Sequence, residues 1–460
     1  MDQYILQNGL PADLDGLKKE DFILKSGKIL ARGQLEPADF PGFSVIDVGG
    51  KLLFPGGIDP HVHLALPTPA GNSCDDFVSG SRAALAGGTT TIFDFVTPVR
   101  GQSLYDALAL RRNESAHSKV NCFLHMGISE WNAKVASELS SLLGAGAIRS
   151  IKAYLAYRDT IGIRLHELKE VMELASRTET PVMVHCEDGD TIHSLLQKFR
   201  SERKLSPVWH FRSRPPEAEI RAIEQVVELA LVTGCTVYIV HISTRKGAAI
   251  VGTAKKSGIR IFGETCPQYL LLDQSVYADG TIPDVNQGNM NGTDDREKDQ
   301  NSYRILPFII SPPLRTREDQ EGLWEALADG SLDVVATDHC PFNLYGQKDV
   351  GLHDFTKIPN GAGGIEHRLP LLYTYGVLQH RISLKRLSDL ISANPADIFG
   401  LGNRKGKLHP GYDADIVIWD PDIQKVISVE NHQSNCDSEI YEGLRIRGRV
   451  DRCFIFPPMR

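Results

Sequence analysis

Eight short runs of β-type residues alternate with helical stretches through the middle of the chain, and this alternation narrows the fold more than anything else. The runs are Ile58–Leu64, Thr90–Phe95, Val120–Gly127, Ser150–Leu155, Pro181–His185, Thr236–His241, Arg260–Glu264 and Asp333–Thr337. Helical patterns such as Leu165–Arg177 and Glu217–Thr233 separate several of them. An open doubly wound sheet and a closed barrel can each hold eight strands. The polar residues decide between them. Runs one, four, five, six and eight carry ligand-type side chains, mostly at their ends, and barrel chemistry is assembled from the C-terminal ends of several strands. The pattern predicts an α/β protein built on a (β/α)8 TIM barrel.

Such a barrel takes about 250 residues, so a chain of 460 residues leaves material for an accessory unit. The N-terminal segment reads as short strands at Tyr4-Ile5-Leu6, Phe22-Ile23-Leu24, Lys28-Ile29-Leu30 and Ser44-Val45-Ile46. That style resumes at Asp415–Trp419 and Leu444-Arg445-Ile446. Both termini are therefore expected to form one small β-sandwich, from residues 1–52 and 406–460, around a barrel at 53–405. The polar stretch Ala278 to Asn301 reads as a surface insertion, either a lid or disordered.

Composition excludes several function classes. A net charge of −8 without a basic, aromatic-interleaved run argues against nucleic acid and anionic membranes as partners. The eight cysteines are scattered, with no C-x-x-C pair, so reduced thiols in a cytoplasmic protein are expected. The start, Met1-Asp2-Gln3-Tyr4, has no basic region leading into an apolar one, and no apolar span is long enough for a bilayer.

The chemistry begins at His61-Val62-His63. On an extended strand residues i and i+2 share a face, so both imidazoles can reach one metal ion. His185 and His241 each end an apolar run, and four imidazoles at one barrel mouth suit Zn²⁺ or a related divalent ion. Lys152 is the odd member, because a buried ammonium beside metal cations is costly. Either it points outward or pairs with a carboxylate, or its Nζ is carboxylated by CO₂ to an anion able to bridge two metals. Asp338 can cap the next helix; beside metals it can ligate one ion and accept a proton.

The stretches Phe54–His63, Ala86–Thr91, Ile151–Tyr157, Val184–Gly189, Val240–Ser243, Glu264–Leu270, Ser311–Arg315, Ala336–Pro341 and Pro359-Asn360-Gly361 carry a further signal. In this order, across nearly the whole chain, they resemble the hydantoinase and dihydropyrimidinase family, the cyclic amidases of the amidohydrolase superfamily. The resemblance implies two divalent metal ions, usually zinc. His61, His63 and Asp338 would hold one, His185 and His241 the other, and carboxylated Lys152 would bridge them. It further implies that Tyr157 stabilises the oxyanion and that Ser311 and Asn360 hydrogen-bond a small cyclic ureide, largely through main-chain groups. A packed aromatic at the barrel mouth is the other reading of Tyr157.

The activity so implied is hydrolysis of the ring amide of hydantoins or dihydropyrimidines to N-carbamoyl amino acids. A bridging hydroxide would attack, with Asp338 as general base and then acid. Cys186 and Cys340 read as packing residues, and His125 and Asp94 as structural. Two other readings accompany this one: an allantoinase-like ureide hydrolase, and a non-catalytic scaffold related to dihydropyrimidinase. The run His63-Leu64-Ala65-Leu66 lacks the arginine that dihydroorotases place there, which argues against a carboxylated ring. Family members are homo-oligomers, commonly tetramers; the chain's end at Pro457-Pro458-Met459-Arg460, earlier than in many relatives, leaves a dimer as the other expectation.

Overall fold

A computed structural model describes residues 3–278 and 302–455. The expected insertion, apart from Ala278, and the terminal Pro457–Arg460 lie outside the described residues. In chain order the strands are β1 (Gln3–Pro11), β2 (Glu20–Lys25), β3 (Lys28–Gly33), β4 (Ser44–Asp47), β5 (Leu52–Pro55) and β6 (Gly57–Val62). A small hairpin, β7 (Pro67–Thr68) and β8 (Gly71–Asn72), follows. Next come β9 (Thr89–Val96), β10 (Asn121–Gly127), β11 (Ile151–Tyr154), β12 (Val182–His185), β13 (Val237–Ile239), β14 (Ile261–Thr265) and β15 (Val334–Val335). The last two are β16 (Ile416–Val426) and β17 (Arg445–Phe454).

Eight parallel strands, in the order β15-β14-β13-β12-β11-β10-β9-β6, form the barrel wall. Every residue of β6, β9, β11 and β12 is buried, as expected for strands covered on both faces. The sheet closes beyond the short β15, where Val62 bridges His339 in parallel and His63 N donates to His339 O at 2.8 Å. All eight runs expected from the sequence are strands. Helices lie outside them. The one at Pro216–Thr233 starts on proline and stops at Gly234, whose φ of 63° continues no right-handed helix. Its Ala218, Ala222, Val226 and Ala230, spaced every four residues, face the core.

The lower lumen is filled by side chains. Phe399 enters from the segment after Asn394–Ile398 and packs 5.2 Å from Phe93, 5.2 Å from Tyr238 and 5.0 Å from His125, centroid to centroid. Truncating such a plug removes transfer energy and leaves a cavity. Phe399→Ala is expected to cost about 3–5 kcal/mol, read as a lower urea midpoint at unchanged slope.

The termini meet in one seven-stranded sheet ordered β17-β16-β5-β1-β2-β3, with β4 added beside β1. It combines antiparallel pairs with the parallel pairs β1–β4 and β1–β5. A register shift in β1 between Leu6 and Gly9 divides it into two parts. Residues of both parts, including Leu6, Phe22, Leu53, Ile416 and Ile418, pack into one core. No disulfide joins the eight cysteines. Among the described residues no helix is long and apolar enough to cross a membrane.

Glycine matters at Gly87, between barrel and sheet. A Cβ there would fall 2.6 Å from Ile365 O and 2.7 Å from Glu366 O, so only glycine lets this backbone approach so closely.

Candidate metal centre

His61 lies at the end of β6 and His63 just beyond it, with ring centroids 5.2 Å apart. His241, following β13, stacks on His61 at 5.5 Å. His185, the last residue of β12, presents Nδ1 2.8 Å from His241 Nε2. Asp338, following β15, brings one oxygen, Oδ1, to 3.2 Å from His61 Nε2 and 3.2 Å from His63 Nε2. Four imidazoles and a carboxylate from four strand ends thus share the upper mouth of the barrel.

Lys152, in β11, belongs to the same cluster. Its Nζ is buried, has no hydrogen-bond partner and sits 5.0 Å from the ring centres of both Phe95 and Tyr154. Phe95 in turn stacks on His63 at 4.7 Å. Of the two readings of Lys152, the outward one is excluded, and no carboxylate bonds to it. Burial pulls the ammonium down from 10.5 to about 8. Burial, reinforced by the charge of Lys152, also holds His61 and His241 well below the usual imidazole value, and burial lowers His185. Neutral imidazole is the form that binds metals. Burial pushes the Asp338 carboxyl up, but His61 and a hydrogen bond from His63 outweigh it and leave it lowered, hence ionised.

Backbone strain marks the same place. Tyr157, His241 and Asp338 have φ of 58°, 39° and 51°, a left-handed conformation that costs a non-glycine residue about 1–3 kcal/mol. Such strain persists where surrounding packing dictates it.

Carboxylates behind the cluster orient the rings. Glu264, on β14, contacts His61 Nδ1 at 2.7 Å through Oε1, which also accepts the His241 backbone N–H at 3.0 Å. Its Oε2 accepts the Tyr238 hydroxyl at 2.7 Å. Burial pushes Glu264 up to about 7. Glu187 meets His185 Nε2 at 2.8 Å and is ion-paired with the buried Arg214. Neither acid is among the site residues expected from the sequence. The available signal was an acidic residue at or next to a strand end, since a metal-binding histidine commonly gives its second ring nitrogen to a carboxylate. Glu264→Gln is expected to weaken divalent-ion affinity about 10–100-fold, measured by competition with a chromogenic chelator.

The other expected residues sit beside this cluster. Tyr157, with its ring 5.3 Å from His185 and under the Arg214 guanidinium at 5.0 Å, lines a cavity of about 340 Å³ together with His210, Phe355 and Asn360. Ser311 is buried with a hydroxyl that has no partner. Gly361 N donates to Ile309 O at 3.0 Å, which sets the Ser311 stretch beside Asn360. His125 is held between the Ser150 hydroxyl and, at 2.9 Å, the Pro60 carbonyl. Asp94 is paired with buried Arg111. Burial pushes the Cys186 and Cys340 thiols far up.

Residues 52–446 match the model of the amidohydrolase family. The chain belongs to that family. Within it, the D-hydantoinase of Geobacillus stearothermophilus is 36% identical over 445 residues, covering 96% of this chain and 90% of that one. The D-hydantoinase of Streptomyces coelicolor is 34% identical, with 97% and 92% covered. Among solved structures, the dihydropyrimidinase of Brevibacillus agri NCHU1002 superposes with a TM-score of 0.91 at 34% identity, covering 99% of this chain and 94% of that one. This amidohydrolase thus falls in the hydantoinase and dihydropyrimidinase branch, and the amidohydrolase family implies divalent metal use. The mouth residues fit such ions: neutral imidazoles, an ionised carboxylate and a buried amine with no partner of its own.

Proposed function

We propose that the protein hydrolyses the ring amide of a small cyclic ureide, a hydantoin or a dihydropyrimidine, to the N-carbamoyl amino acid. The observation that supports it most is Asp338 Oδ1 set equidistant from two histidine nitrogens beside a buried lysine amine without a partner. The relatives described above bear hydantoinase and dihydropyrimidinase names, which favours this reading over an allantoinase-like enzyme or a scaffold.

In this reading His61, His63 and Asp338 would hold one divalent ion and His185 and His241 a second, imidazole and carboxylate being donors that zinc takes, and Lys152, carboxylated by CO₂, would supply a shared anionic ligand. When bound, the pair supplies Lewis acidity at the ring carbonyl and an acidified water. The chain's own residues do the rest. Asp338 accepts the proton of the attacking water and returns it to the ring nitrogen as the C–N bond breaks. The Tyr157 hydroxyl donates to the carbonyl oxygen as charge builds on it. Main-chain groups at Ser311 and Asn360 orient the ureide. A cytoplasmic homo-oligomer, dimer or tetramer, completes the proposal on the strength of the family.

The test is a panel of hydantoins and dihydrouracils given to zinc- and bicarbonate-treated protein, with loss of ring absorbance as the signal. Turnover that a chelator abolishes is expected; no turnover of any ring would overturn the proposal. Tyr157→Phe should lower kcat about 10²–10³-fold, the scale of one lost oxyanion donor, at unchanged Tm. An unaltered kcat would return Tyr157 to packing.

A further inference from the structure

A second cluster of metal-ligating side chains lies away from the barrel mouth. Ile427 N donates to Leu444 O at 2.9 Å, pinching the segment between β16 and β17 into a loop. That loop carries His432 and Glu439 to the side chain of His367, next in sequence to the Ile365-Glu366 backbone that Gly87 meets closely. His367 Nε2 stands 3.0 Å from Glu439 Oε2, and His432 Nδ1 stands 3.3 Å from the same oxygen. The three side chains are only 3%, 5% and 4% exposed. We propose that His367, His432 and Glu439 bind one zinc-type divalent cation that fastens the 427–444 loop to the barrel.

Three observations support this. First, the outward sides of two ligands are already committed. His432 Nε2 lies 3.0 Å from Cys436 O, so it carries a proton and donates; Glu439 Oε1 accepts the Tyr441 N–H at 3.0 Å. With Nε2 protonated, neutral His432 turns the lone pair of Nδ1 toward a carboxylate oxygen. Two acceptors at 3.3 Å repel unless a cation or a second proton stands between them. Tethering the far ring nitrogen to a carbonyl is also how metal-binding histidines are held. Second, both ring-to-carboxylate spacings, 3.0 and 3.3 Å, suit a shared ion. Zinc bonds of about 2.0–2.1 Å in tetrahedral geometry put neighbouring donors about 3.3 Å apart. The same arrangement, one carboxylate oxygen facing two ring nitrogens, occurs at Asp338. Third, a void of about 10 Å³ touches His367, His432 and Glu439 along with Ser434 and Ser438. It suits a single water as fourth ligand and admits no substrate, so the ion's role is structural.

A proton on His432 is the competing occupant, because the hydrogen bond to Glu439 raises this imidazole. Zinc content distinguishes the two. Full-length wild type, His432→Gln and Glu439→Gln are dialysed against zinc, then buffer, and assayed by elemental analysis, with circular dichroism to check folding. Each variant is expected to hold one zinc per chain fewer than wild type, and equal zinc would overturn the proposal. The result is a difference, so it stands whether or not the barrel-mouth site fills; that site is tested separately by Lys152→Ala. Should the variants not fold, histidine ¹⁵N NMR of chelator-treated wild type replaces them. Added zinc should abolish the protonation step of the His432 ring, and a ring that titrates identically with and without zinc refutes the site.

Discussion

Lys152→Ala is expected to release most of the metal and to lower turnover about 10⁴-fold or more, the scale of losing one member of a catalytic unit. The reason lies in the surroundings of Nζ: buried, without a partner, flanked by aromatic rings and by imidazoles. A bare amine there neutralises no metal charge, whereas a carbamate contributes two oxygens and a negative charge. Lys152→Met keeps the volume and removes the unpaired ammonium, so the metal-free variant should be at least as stable as metal-free wild type. The pH dependence follows from the depressed value of about 8. Only the neutral amine reacts with CO₂, and its share rises from about one tenth at pH 7 to about nine tenths at pH 9. Reactivation of chelated protein at fixed dissolved CO₂ should therefore be about tenfold faster at pH 9. The same depression makes the metal-free fold gain stability as pH rises from about 8 toward 10.5, where the unfolded chain still holds the proton and the folded one does not. A fully metallated, active Lys152→Ala would overturn the bridging role proposed for Lys152.

Asp338→Asn is expected to lower kcat about 10²–10⁴-fold in zinc-saturated protein, the usual contribution of a positioned acid–base group. Asparagine keeps the shape and an oxygen near His61 and His63, so part of the metal should stay, but it cannot take the water's proton or return it to the ring nitrogen. Metal content and kcat are to be measured on the same preparation, since loss of both together would mark Asp338 as a ligand alone. Wild-type kcat in the variant would remove it from the proton path.

Much of this molecule was legible in the chain because the signals are local. The eight barrel strands each carry their own apolar run, and His61, His63, His185, His241 and Asp338 advertise themselves at the ends of such runs. Strand β5 is different. Its Leu52–Pro55 pair with β16, a partner more than 360 positions away that no local pattern names. Glu264 and Glu187 were visible as acids near strand ends, but their work depends on which ring nitrogen each one faces. The second cluster was silent for the same reason: His367, His432 and Glu439 sit in unpatterned loop sequence and meet only through packing.

What the sequence determined by itself is the order of strands and helices, the family, and the residue types offered at the barrel mouth, because periodicity and motif spacing are properties of neighbours along the chain. Tertiary structure alone decided the rest. It placed one oxygen of Asp338 between two imidazoles, left the Lys152 amine without a partner, forced Tyr157, His241 and Asp338 into left-handed backbone, and drew a distant loop onto His367. These depend on distances between residues remote in sequence, which only closure of the barrel and docking of the terminal sheet can set.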